Sequence, residues 1–356
     1  MSDKLLQDLP LPVVDFAGFG DGTSSDALEI GKKLLQACQN VGFAYLINTG
    51  ISQAQADDML AWSRKFFSLP PDIKQLAPHP KEGWKHRGYS GIGVEQLSQM
   101  VFDSNELAAI RKNAPDFKES FDLGRTDSPH LENIWLPEEL LPGFRDAALS
   151  FYYACQSFQI GKLLKALSLG LGLPADFLGQ YHRDGDNQLR LLHYPAAPAE
   201  VFSRGEKGRA KAHTDFGTAT ILFQDSESGL EVESPSGSGQ FIAVPPIPGA
   251  MVFNVGDLLM RWSNGMYNKA AIQKLSSSLL NRSDTLKSTL HRVSALAPQH
   301  GTGVVKERYS IPFFMGPDVN ALVDCLPGCS SEDRPKKYEP ITAAAYIDMR
   351  LNAIFV

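Results

Sequence analysis

Apolar positions follow two different rhythms along this chain. In the N-terminal half the spacing is mostly helical. Ala27, Ile30, Leu34, Ala37 and Val41 form one stripe, which predicts a helix over residues 24–41. Thr23 with Asp26 reads as its capping box, and Gly42 stops it. Ser52 opens a second helix through Met59, Trp62 and Phe66, closed by Pro70 and Pro71. A third pattern, 141–171, places Ala148, Phe151, Cys155, Phe158, Leu163 and Leu167 inward and ends at Gly172 and Pro174. It reads as structural support. Leu11 to Phe16 and Phe43 to Asn48 are short apolar runs that read as strands. The stretch 72–135 is mixed, rich in Gly, Pro and charge.

From about residue 188 the period shortens. Apolar runs at 189–194, 219–223, 230–232, 241–244, 250–255, 288–295 and 309–314 alternate with Gly, Pro, Asn and Asp turns. Many short strands of this kind predict an antiparallel sandwich or barrel. Helical spacing returns over 341–355. The fold class expected is mainly β with flanking helices.

Composition narrows the function more than the fold. The chain has 356 residues, 43% hydrophobic and 21% charged, with a net charge of −6 and no long basic run. A nucleic-acid partner is not expected, because phosphate binding needs clustered Lys and Arg. Cys38, Cys155, Cys325 and Cys329 are too few for a disulfide scaffold in a chain this long. A reducing, cytoplasmic setting is expected. Cys325 and Cys329 have no second Cys or His pair at zinc spacing. The N-terminus lacks the apolar core of a signal peptide, and no run is long enough for a membrane span.

The candidate chemistry starts at His213-Thr214-Asp215. On a strand, residues i and i+2 share a face, so an imidazole and a carboxylate could converge there. His291, in an alternating stretch, is the best third ligand. Two His and one carboxylate on one face of a metal leave open positions, which suits Fe(II) that must bind a co-substrate and O₂ together. Alone, an H-x-D triplet is usually incidental, and a lone histidine is usually a hydrogen-bonded core residue. Arg308-Tyr309-Ser310 changes the balance. A guanidinium fork and a hydroxyl on one strand face make a carboxylate receptor. The apolar run Ile311 to Phe314 that follows argues for burial rather than a surface salt bridge.

With these motifs in order, the chain resembles the isopenicillin N synthase-like family of 2-oxoglutarate/Fe(II) dioxygenases, and fungal members in particular. The resemblance runs through LPVVDF, VGFAYLINTGI, RKFFSLP, HRGYSGIG, KESFDLG, LRLLHYP, HTDFGTATILFQD, GLEV, VFNVGDLLMRWSNG, STLHRV and RYSIPFF, and covers nearly the whole chain. It implies a double-stranded β-helix (jelly-roll) core wrapped by N- and C-terminal helices. The implied division is an α/β region over 1–135, a supporting helix and linker over 136–187, the catalytic core over 188–318 and a helical extension over 319–356. It implies that His213, Asp215 and His291 hold Fe(II). Arg308, Ser310 and Tyr194 would hold the distal carboxylate of 2-oxoglutarate, with O₂ and a small organic substrate completing the reaction. Many members carry Asn where this chain has Leu192, so the near carboxylate needs another partner, for which Arg190 is a candidate. Phe216 is placed either in the substrate pocket or in the core. Substrate walls are expected from about 86–125 and from the C-terminal helix. The motif wording points to secondary or catabolic metabolism. Two rivals stay open: an Fe(II) oxidase of the same fold that does not use 2-oxoglutarate, and an inactive jelly-roll binding protein.

One departure from the family pattern is the stretch 265–283, inserted between Arg261-Trp262-Ser263-Asn264 and the run leading to His291. It is either a genuine loop extension at a β-turn or translated intron sequence. Gly265-Met266-Tyr267 can be encoded with a splice-donor string, and Leu280-Asn281 with a branch-point string. Mature transcript carrying these codons throughout would exclude the intron.

Overall fold

The structure is a computed structural model that describes residues 9–82, 85–95, 116–128, 131–236, 238–265, 286–295 and 303–351. The three expected helical patterns form. Helix α1 (Ser25–Asn40) is capped one residue later than expected: the Ser24 hydroxyl accepts from the Ala27 N–H at 3.1 Å, while Thr23 bonds Asp21. The serine hydroxyl satisfies one of the orphan N–H groups at the start of the helix. Helix α2 (Gln53–Phe67) carries a true capping box of Ser52 and Gln55. Helix α3 (Phe144–Phe158) passes through a π-helical turn, Gln159–Leu163, into α4 (Leu164–Gly170). Helices α1 and α4 touch backbone to backbone, since a Cβ on Gly31 would lie 2.7 Å from the Ala166 carbonyl oxygen.

Among the described residues, twelve strands of three or more residues follow one another: β1 (Val13–Asp15), β2 (Phe43–Ile47), β3 (Gly88–Ser90), β4 (Glu119–Leu123), β5 (Gln188–Tyr194), β6 (Ala210–His213), β7 (Ala219–Gln224), β8 (Leu230–Glu233), β9 (Phe241–Ala243), β10 (Ala250–Val255), β11 (His291–Val293) and β12 (Arg308–Met315). The major sheet runs β1-β2-β10-β7-β12-β5-β4-β3, and the minor sheet runs β9-β8-β11-β6. Every pairing within these two sheets is antiparallel except β1 with β2. The two sheets make the jelly roll.

Strand alternation decides where the site lies. On β5, Leu189 and Leu191 are wholly buried in the helix-facing core, while Arg190, Leu192 and Tyr194 line a cavity. On β12, Ile311 and Phe313 take the core side, and Arg308, Ser310, Pro312 and Phe314 the cavity side. The core side is sealed by aromatic contacts from the helices: Phe66 on Phe121, Phe151 on Phe223 and Tyr152 on Phe313. One face of the major sheet is thus packed shut, and the other faces the minor sheet across the cavity. Helix α5 (Asp257–Trp262) follows β10, and helix α6 (Ala343–Leu351) supplies Ile347 and Leu351 to the cavity wall.

The stretch 265–283 lies outside the described residues except for Gly265. Its flanks are described, and they meet. A Cβ on Gly265 would stand 2.6 Å from the Leu286 carbonyl oxygen, and the Leu286 N–H reaches the Ser263 hydroxyl at 3.3 Å. The chain therefore leaves at Gly265 and returns at Leu286 with these two flanks already in contact. Replacing residues 266–285 by a two-residue link is therefore expected to leave the thermal midpoint within about 4 °C of the parent. A midpoint drop well beyond that in a thermal melt would show that the segment supports the fold.

Candidate active site

His213 closes β6 and His291 opens β11, and the two are direct partners in the minor sheet. Their ring centroids are 4.3 Å apart. Nδ1 of His213 donates to the Lys211 carbonyl at 2.7 Å and Nδ1 of His291 to the Thr289 carbonyl at 3.2 Å. That assignment follows from the acceptors, and it leaves both Nε2 lone pairs free. Asp215 Oδ1 lies 3.9 Å from His213 Nε2 and 3.6 Å from His291 Nε2. Its other oxygen, Oδ2, accepts from the Thr220 hydroxyl at 2.6 Å and the Asn254 amide at 2.7 Å. One carboxylate oxygen is thus tied down and the other turned toward two imidazole nitrogens.

The arrangement differs from the expected strand pair in one respect. Strand β6 ends at His213, so Asp215 reaches the common point through a turn and not through the pleat. That turn is pinned by the Asp257 N–H, which donates to the Asp215 carbonyl at 2.8 Å. Electrostatics favour the ligand forms. Burial, and then the neighbouring His291, push the His213 pKa down to about 3, so its ring is neutral. Burial alone would raise the Asp215 carboxyl, but its neighbours, His291 first, and the Thr220 and Asn254 hydrogen bonds outweigh it and hold it below its ordinary value.

Arg308, Ser310 and Tyr194 come together in the same cavity, which measures about 230 Å³. Arg308 is 0% exposed. Its guanidinium donates to the Ser310 hydroxyl at 3.0 Å and to Gln224 Oε1 at 2.9 Å, and stands 5.3 Å from the Tyr194 ring centroid. Its Nε has no hydrogen-bond partner, and among the described residues no carboxylate lies within 4 Å. Burial pulls its pKa down, against the opposing pull of Tyr194 and of the more distant Asp225. A buried cation with no carboxylate in contact is costly, and an incoming carboxylate reduces that cost.

Arg190 does not fit the part suggested for it. It lines the cavity, but its fork is already engaged by two carboxylates: Nε on Asp122 at 2.7 Å, Nη1 on Glu95 at 2.9 Å, and Nη2 on both at 2.8 and 2.9 Å. Four of the five N–H donors are used, and two carboxylates already balance the charge. His86, Glu95 and Asp122 also lie close enough to suggest a second metal cluster. The Arg190 guanidinium fills that space and repels a cation. Leu192 is opposite Ser310 in the β5–β12 register and turns an apolar side chain into the cavity. Phe216, expected either in the pocket or in the core, lines the cavity and also packs against the core. Of the expected substrate wall, residues 96–115 lie outside the described ones.

Sequence reasoning passed over Thr220, Asn254 and Gln224. Thr220 and Gln224 on β7 and Asn254 on β10 are polar residues among apolar strand neighbours, and that contrast is the signal that could have found them.

Residues 185–317 match the 2OG-Fe(II) oxygenase superfamily, and residues 11–140 match the non-haem dioxygenase in morphine synthesis N-terminal family. The chain is 36% identical over 352 residues to the 2-oxoglutarate-dependent dioxygenase frbA of Dothideomycetidae sp. (strain 11243), covering 96% of both. This chain belongs to the 2OG-Fe(II) oxygenase superfamily. The oxygenase is also 37% identical over 321 residues to the proline hydroxylase buaE of Petromyces alliaceus, covering 89% of this chain and 91% of that one. The crystal structure of a full-length Neurospora crassa protein in complex with alpha-KG and thymine superposes with a TM-score of 0.81 at 38% identity, covering 97% of each chain. The oxygenase is thus an Fe(II)- and 2-oxoglutarate-dependent enzyme. Among its described residues, no helix is long and apolar enough to cross a membrane.

Proposed function

We propose that His213, Asp215 and His291 hold the Fe(II), and that Arg308, Ser310 and Tyr194 hold the distal carboxylate of 2-oxoglutarate. The observation that carries this is the presence of two complementary receptors in one cavity: three converging metal donors, and a buried arginine without a carboxylate. The bound iron and co-substrate supply the oxidant that takes hydrogen from a small organic substrate, with release of succinate and CO₂. The chain's own residues do the rest. Lys211 and Thr289 carbonyls orient the imidazoles, Thr220 and Asn254 fix the carboxylate, and the apolar side chains of Leu192, Leu222 and Val293 line the cavity and keep water from it.

The division into an N-terminal α/β region (1–135), a supporting helix (136–187), a catalytic core (188–318) and a C-terminal extension (319–356) belongs to the same reading, and the two family matches support it. Four free cysteines, three of them buried, support a reducing cytoplasm as its setting. Similarity to fungal enzymes such as a proline hydroxylase supports a role in secondary metabolism.

Titration calorimetry with Fe(II) under argon tests the site directly. One equivalent per chain is expected. Two equivalents would mean that His86, Glu95 and Asp122 also bind metal despite Arg190, and none would leave the triad without its metal.

A further inference from the structure

Helix α6 reaches the metal-site turn through one buried ion pair. Asp257, the first residue of α5, is 1% exposed, and Arg350 of α6 is 2% exposed. Their side chains form a direct salt bridge. The Asp257 carboxylate also accepts from the Tyr346 hydroxyl at 2.9 Å, from the Ser288 hydroxyl at 2.7 Å and from the Thr214 hydroxyl. Thr214 sits between His213 and Asp215. Ser288 lies on the segment that runs into His291. The backbone N–H of Asp257 holds the Asp215 carbonyl at 2.8 Å. Arg350 adds contacts of its own, with Nη2 at 3.4 Å from the Thr214 carbonyl and its guanidinium carbon 4.2 Å from the Phe216 ring centroid.

Both segments that carry the triad, and the helix that closes the cavity, therefore converge on one carboxylate. An ion pair meant only to fasten α6 has no need of Thr214 and Ser288. A buried pair is also weak evidence for stability, because desolvation offsets most of its attraction. Groups behind metal ligands commonly change metal affinity tenfold to a hundredfold when removed.

We propose that Asp257 and Arg350 are positioning residues for the metal site, so that docking of α6 sets the geometry of His213, Asp215 and His291. This rests on the reading of those three as iron ligands. The coupling makes the C-terminal helix a part of the metal centre and not merely a cover for the substrate. Neither residue belongs to the triad, and both act through the backbone and hydroxyls of the segments that carry it.

The test is Fe(II) affinity under argon in the full chain, read by calorimetry alongside thermal unfolding. Arg350→Gln is expected to fold and to bind Fe(II) about tenfold or more weakly. Arg350→Lys, which keeps the charge but not the fork, is expected to recover part of that loss. Arg350→Gln protein with a lowered melting temperature but parental Fe(II) affinity would show a purely structural pair and overturn the proposal. If Arg350→Gln does not fold, Ser288→Ala carries the same test, because it removes one hydroxyl and no charge. Unchanged affinity there would overturn the proposal equally. His291→Ala is the control for the underlying reading: if it binds Fe(II) as the parent does, the triad assignment fails first, and the proposal with it.

Discussion

Asp215→Ala is expected to yield a folded protein without measurable turnover, at least about a thousandfold below the parent. The reason is specific to this carboxylate. Its Oδ1 is the anionic donor beside two imidazoles, and among the described residues no other carboxylate is within ion-pair distance of both. Without it, two imidazoles hold a divalent cation with no charge compensation. The substitution also leaves the Thr220 hydroxyl and the Asn254 amide without their acceptor. Each such buried loss costs about 1–3 kcal/mol, so a lower melting temperature accompanies the loss of activity. Succinate release under saturating Fe(II) and 2-oxoglutarate measures the first effect, and differential scanning calorimetry the second. Turnover within tenfold of the parent would remove Asp215 from the metal site.

Arg308→Leu separates the co-substrate from the metal. The leucine removes the buried guanidinium and with it the counter-charge placed beside Ser310 and Gln224. Truncating one side of a buried charged pair costs about 2–5 kcal/mol, so the 2-oxoglutarate Kd is expected to rise by about a hundredfold or more. Fe(II) affinity is expected to stay near the parental value, because Arg308 does not contact the triad. The fold is expected to survive the change, because the removal of a buried charge offsets the loss of the donor to Gln224 and Ser310. Isothermal titration with 2-oxoglutarate in the metal-loaded protein reads the effect. An unchanged Kd would move the distal carboxylate elsewhere in the cavity.

The chain announced much of this in its own spacing. Periods of about three and a half and of two marked the helices and strands, and the structure moved most boundaries by only a residue or two. Alternation on β12 set Arg308 and Ser310 on one face, and the family resemblance added Tyr194, which lies opposite Arg308 in the β5–β12 register. Tertiary context decided the rest. His213 and Asp215 share a site, but a turn pinned by Asp257 brings Asp215 in, and nothing local in H-x-D distinguishes that turn from a strand. Arg190 looked like a free cation because its partners, Glu95 and Asp122, are about seventy or more residues away in sequence. No periodicity records such a pairing. Thr220 and Asn254 were visible as polar breaks in apolar strands, yet their common target became apparent only when β7 and β10 lay side by side.

The most direct measurement is anaerobic addition of Fe(II) and 2-oxoglutarate to purified protein, watched for the weak visible charge-transfer band of the metal–keto acid chelate. A band that requires both additions and is lost in His291→Ala is the predicted result. Folded parent protein that shows no band, or a band that survives in His291→Ala, would contradict the assignment of the triad.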